Sequence, residues 1–166
     1  MTGLPGFDDV AALPAVFDEK VRPDQIDENG HMNIRHYFDF ASWSVWKSLE
    51  DLGAGEAYID DRGLSFFTVE QHIRYFGEMR VDDRFTVHDR LLSRSNRALH
   101  AMAFVLDREQ SRLACTFELV YVHVDMAERK AVDIPDDIAS AIDDAIADTD
   151  GLGWDAPVCG AMGVRR

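Results

Sequence analysis

The sequence predicts an α+β fold in which one long helix packs against a curved antiparallel sheet. Two observations carry that expectation. Apolar residues at Ile34, Tyr37, Phe38, Ala41, Val45, Leu49 and Leu52 recur every three or four positions, the helical period. Downstream, Leu64 to Phe76, Arg84 to Ser93, Ala98 to Leu106 and Leu113 to Val124 are rich in β-branched and aromatic residues. The breaks between them, Glu78 to Asp83, Arg94 to Arg97 and Asp107 to Arg112, are too short for parallel crossovers and select antiparallel hairpins.

The elements follow in order. Met1 to Pro14 reads as a flexible start without the basic end and apolar centre of a secretory signal. Ala15 to Val21 alternates weakly and reads as a first strand, and Arg22 to Asn33 is a turn-rich loop. Asn33 is placed to cap the helix and Gly53 to end it, giving a rod of about 28 Å. Phe40, Trp43 and Trp46 widen its apolar surface past one stripe, so much of it should be buried. After a turn at Asp125 to Lys130 come a brief strand, Ala131 to Ile134, and an acidic helix, Asp136 to Ala147. Gly151 to Arg166 has no periodicity and reads as a loosely packed tail. One domain is expected over 1–166, with its core at about 15–135 and an acidic helix and tail at 136–166. A single sheet with open edges favours a homodimer or homotetramer.

Composition narrows the function. Acidic residues outnumber basic ones 31 to 17, for a formal net charge of -14. That balance argues against nucleic acid, whose phosphates need clustered Lys and Arg. Arg74, Arg80, Arg84, Arg90, Arg94 and Arg97 fall in the middle third and could still form one local anion site, or stand as separate solvated charges. No apolar run approaches the roughly 18 residues of a membrane span. Cys115 and Cys159 suggest neither a disulfide framework nor a zinc site, which fits a reduced cytoplasm. His31 and His36 lie five apart, the wrong spacing for two ligands on one helix face, so no metal is expected. No nucleophile elbow or phosphate-binding glycine loop is present.

The chemistry concentrates in Asp27-Glu28-Asn29-Gly30-His31-Met32-Asn33, which opens onto the long helix. Unpaired N–H groups at a helix start, Met32 and its neighbours here, would polarise a carbonyl and stabilise an oxyanion. Gly30 allows close backbone approach, and the Asp27 carboxylate could attack a carbonyl or activate water. The same loop also reads as an acidic cap that merely starts the helix. Glu70 is the second carboxylate: Thr68, Glu70, His72 and Arg74 fall on one strand face, so Glu70 is either a base oriented by His72 or an ion-pair partner of Arg74 or of a second subunit.

Gly30-His31-Met32-Asn33 before a long helix, with Asp27 three residues ahead of the glycine, resembles the signature of hotdog-fold thioesterases related to 4-hydroxybenzoyl-CoA thioesterase. Phe67 to Tyr75, Arg97 to His100 and Leu119 to Asp125 extend the likeness to the betainyl-CoA thioesterase branch. The resemblance implies a hotdog fold and hydrolysis of an acyl-CoA, with a short or polar acyl group such as betainyl. It implies a catalytic set of Asp27, Glu70, His31 and Asn33, and substrate contacts from Asn29, Gly30, Met32, Tyr37, His72 and Arg97. No cofactor is implied beyond the coenzyme A of the substrate. Gln25 stands where many relatives have an aspartate and the closer branch an aromatic, and Glu28 where the branch often has Tyr. The alternatives are a hotdog hydratase or dehydratase, and an acyl-CoA binder without turnover.

Overall fold

The computed structural model describes residues 3–164. Its elements are α1 (Phe7–Ala11), β1 (Phe17–Lys20), a 3₁₀ turn (Pro23–Gln25), α2 (Ile34–Leu49), a π turn (Glu50–Ala54), α3 (Glu56–Arg62), β2 (Leu64–Tyr75), β3 (Arg84–Arg94), β4 (Ala98–Asp107), β5 (Arg112–Asp125), β6 (Lys130–Ala131) and α4 (Asp136–Asp150). The strands form one antiparallel sheet in the order β1-β3-β4-β5-β2, with β6 pairing the end of β5. This is the expected α+β layout. Register shifts between Thr68 and Glu70, Leu91 and Ser93, and Val105 and Leu106 are bulges that bend the sheet around α2.

Helix α2 begins where Asn33 accepts the Arg35 N–H at 3.1 Å. It buries Tyr37, Ala41, Ser44, Val45 and Leu49 against β3, β4 and β5. The sheet's inner face answers with Leu99, Ala101, Ala103, Val105, Phe117, Leu119 and Tyr121. The helix ends earlier than its apolar spacing implies. After Leu49 the chain widens into the π turn, where Gly53 takes φ 88°, and α3 then runs seven residues to Gly63 at φ 64°. Its few apolar residues gave no periodic signal.

The outer face is covered too, which corrects the expectation of loose ends. Met102, Phe104, Leu106 and Leu113 pack with Val10 and Leu13 from the N-terminal segment and with Leu152 and Trp154 from the C-terminal one. Trp154 meets Phe104 edge-to-face at 5.5 Å, and the Arg90 guanidinium lies 4.6 Å from its ring centroid. Covered on both faces, β4 and β5 read as nearly continuous apolar runs. The last expected strand shrinks to Lys130–Ala131, and α4 extends to Asp150.

The inner face also holds a carboxylate. Asp89 on β3 accepts the Ser48 hydroxyl at 2.9 Å, and desolvation pushes its carboxyl up to about 7. The folded state therefore holds this proton more tightly than the unfolded chain does. Stability is greatest below about pH 4 for this group and is lost as pH rises toward 7. Asp89→Asn is expected to raise stability by roughly 2 kcal/mol at pH 8, and by progressively less below pH 6. Urea unfolding at both pH values measures the difference; an equal effect at each would contradict it.

Candidate active site

The loop ahead of α2 is pinned at both ends. Asp27 N–H donates to the His31 carbonyl, Gly30 N–H to the Asp27 carbonyl at 3.0 Å, and Asn33 N–H to the Gln25 carbonyl at 2.9 Å. Gly30 sits at φ 85°, a conformation that strains any residue with a side chain. Gln25 is buried, and its Oε1 accepts the Arg22 N–H at 2.9 Å. Gln25 is thus a bolt within the loop.

This geometry presents the Asp27 carboxylate. One oxygen accepts the Asn29 N–H at 2.9 Å and the other accepts Asn33 Nδ2 at 3.3 Å. Asn33 therefore both caps α2 and orients Asp27. The carboxylate lines a cleft of about 770 Å³ with Asn29, His31, Met32, Tyr37 and Tyr75. Glu78, Arg80, Asp83 and Arg112 complete its charged rim. His31 Nε2 lies 3.2 Å from Glu78 Oε2. A second hollow of about 780 Å³ beside α2 is lined by Phe17, Phe40, Trp43 and Trp46. Only the first joins a held carboxylate to a helix start.

The Met32 amide does not face the cleft as expected. It donates to the Met79 carbonyl at 2.8 Å, closing the loop onto the chain after β2, and its side chain is in the core. At the helix start, the Ile34 N–H is the one that meets no acceptor among the described residues. Tyr37 is likewise committed. Its hydroxyl donates to the Gly77 carbonyl at 3.2 Å and accepts the Met79 N–H at 3.1 Å. Burial pushes its pKa up, so it stays a donor that braces the cleft wall.

Three expected site residues lie elsewhere. The bulge at Val69 breaks the alternation of β2, leaving Thr68 opposite Tyr121 on the inner face while Glu70 and His72 oppose Val120 and Glu118. Glu70 and His72 therefore share the outer face, and no Glu70–Arg74 ion pair forms among the described residues. Arg97 sits at the start of β4, about 30 Å along the strand from the cleft end, and pairs with Asp133. The other arginines do not cluster. Arg84 pairs with Asp18 and Arg94 with Asp143; Arg90 is bonded to the Thr149 and Trp154 carbonyls. Arg80 alone of that group reaches the cleft, joined by Arg112, which the sequence pattern did not single out.

The family model described as the thioesterase-like superfamily matches residues 21–142. L-carnitine dehydrogenase/betainyl-CoA thioesterase of Rhizobium meliloti (strain 1021) is 29% identical over 125 residues, covering 75% of this chain and 25% of that protein. Betainyl-CoA thioesterase of Pseudomonas aeruginosa is 27% identical over 84 residues, covering 51% of this chain and 53% of that protein. The chain thus spans about a quarter of the length of the first of these relatives. A hypothetical protein of Staphylococcus aureus, solved in complex with CoA, superposes with a TM-score of 0.80 at 20% identity, over 90% of this chain and 94% of that one. With a family match running from the end of β1 into α4, over the loop, the central helix and the sheet around it, the chain belongs to the thioesterase-like superfamily.

Proposed function

We propose that this chain hydrolyses an acyl-CoA thioester to the free acid and CoA, with a short or polar acyl group. The observation that carries this is the Asp27 carboxylate, held by Asn29 and Asn33 on a cleft beside the start of α2. In this reading Asp27 takes a proton from water as the water oxygen adds to the thioester carbon. The developing oxyanion faces the Ile34 N–H and the positive end of α2. Collapse of the tetrahedral adduct breaks the carbon–sulfur bond, and the departing thiolate takes the proton from Asp27. The reaction as written needs no cofactor. Arg80 and Arg112 would meet the phosphates of CoA at the rim.

A betainyl group fits this reading. Tyr37, Tyr75 and Phe76 supply aromatic faces, and Asp27, Glu78 and Asp83 supply negative charge, a setting that favours a quaternary ammonium. The names of the curated relatives point the same way. The reading includes a homodimer or homotetramer. Ile34, Phe38, Val69 and Tyr75 are exposed beside the free edge of β2, which invites a second copy. It also includes a cytoplasmic location, which two free thiols fit.

Thiol release from betainyl-, butyryl- and benzoyl-CoA tests the activity, with betainyl-CoA expected to give the highest kcat/KM. Saturable binding without turnover on all three would replace hydrolysis by a binding role. Light scattering is expected to give an even multiple of 18.8 kDa.

A further inference from the structure

A second polar cluster lies on the sheet's outer face. Glu118 on β5 is 1% exposed, beneath the C-terminal tail. One of its oxygens lies 2.8 Å from His100 Nε2, and the other accepts the Cys159 N–H at 2.8 Å. His72, opposite Glu118 across the β2–β5 ladder, brings Nδ1 to 3.9 Å from that second oxygen. The ligand-type atoms of His72, Glu118 and Cys159 all lie within 4.8 Å of one another. An imidazole, a carboxylate and a thiol from three distant stretches of chain thus converge on one point.

We propose that His72, Glu118 and Cys159 bind a zinc ion that fastens the tail to the sheet. The spacing is the first ground. Two ligands at about 2.0–2.1 Å on a tetrahedral ion lie about 3.4 Å apart, so 3.9 Å is too long for a hydrogen bond but within about half an ångström of sharing a metal. The donor set is the second. Nitrogen, oxygen and sulfur together select zinc over calcium or magnesium, which take oxygen alone.

Charge is the third ground. A thiolate and a carboxylate neutralise the divalent ion, and the thiol proton leaves to solvent on binding. The surroundings are the fourth. His100 holds the far oxygen of Glu118, and the Ala161 N–H donates to Cys159 Sγ at 3.4 Å, the supporting contacts that orient metal ligands. Three protein ligands leave a fourth position, and the half-exposed His72 gives water access to it. His72 lies three residues along β2 from Tyr75 in the cleft wall, about 10 Å, and points to the opposite face of the sheet, so the ion would act on the tail and not on the thioester.

Chelator-stripped protein titrated with zinc is expected to take up one equivalent per chain and to unfold at least about 5 °C higher. Cobalt in its place should show a thiolate-to-metal charge-transfer band and the visible bands of a tetrahedral ion. Cys159→Ser should abolish the charge-transfer band, and His72→Ala should weaken uptake at least about 100-fold, while both apo variants remain folded by circular dichroism. A stoichiometry near zero, or a band that survives Cys159→Ser, would overturn the site. Binding that neither variant alters would be adventitious and would overturn it equally.

Discussion

Asp27→Asn is expected to lower kcat for acyl-CoA hydrolysis by about 10³-fold while leaving KM within a few-fold. The change is nearly isosteric, and the Asn29 N–H keeps an acceptor. It removes the basic oxygen, and positioned general bases are worth about 10²–10⁴ in rate. It also sets an amide against Asn33 Nδ2, which the native carboxylate accepts at 3.3 Å. Asn33→Asp alone should cost rate for the complementary reason, since two carboxylates would then face each other. The cap on α2 would survive, because Asp also accepts the Arg35 N–H. Steady-state thiol release, with thermal unfolding as the control for fold, measures both. Asp27→Asn with kcat within threefold of the native value would remove Asp27 from the reaction.

That prediction rests on the part of the site the sequence makes legible. Asp27, Gly30 and Asn33 lie within seven residues, and their contacts are local: a turn, a positive φ and a cap. Residue type and spacing encode such contacts directly. Glu70 and His72 escaped the same reasoning because one extra residue at Val69 reverses the faces of β2, and nothing in an alternating pattern marks a bulge. The Met32 amide was misassigned because its acceptor, Met79, is 47 residues away. Arg112 was passed over as one more charge in a break between strands. The same limit applies to the tail, whose Leu152 and Trp154 are too few for periodicity yet cover the outer sheet.

Asp107→Ala is expected to cost about 3 kcal/mol of stability and to raise KM, although Asp107 does not line the cleft. Its side chain is fully buried at the end of β4. One oxygen accepts the Glu109 and Gln110 N–H groups at 3.0 and 3.1 Å, holding the turn into β5. The other accepts Arg112 Nε at 3.0 Å. Arg112 in turn donates to the Glu78 carbonyl at 2.7 Å, and its guanidinium crosses Gly77 so closely that a Cβ there would lie 2.6 Å from Cζ. Removing the carboxylate leaves two turn amides and a partly buried cation without their acceptor. A loss of this size corresponds to a fall in Tm of roughly 10 °C for a chain of this length. Asp107→Asn should fall between the native chain and Asp107→Ala, because the amide oxygen still serves the turn while the charge opposite Arg112 is gone. Arg112→Ala should reproduce the rise in KM with a smaller loss of Tm, since the turn amides keep their acceptor. That split separates the turn from the rim: if Asp107→Ala lowered Tm without any change in KM, Arg112 would have no part in holding the substrate.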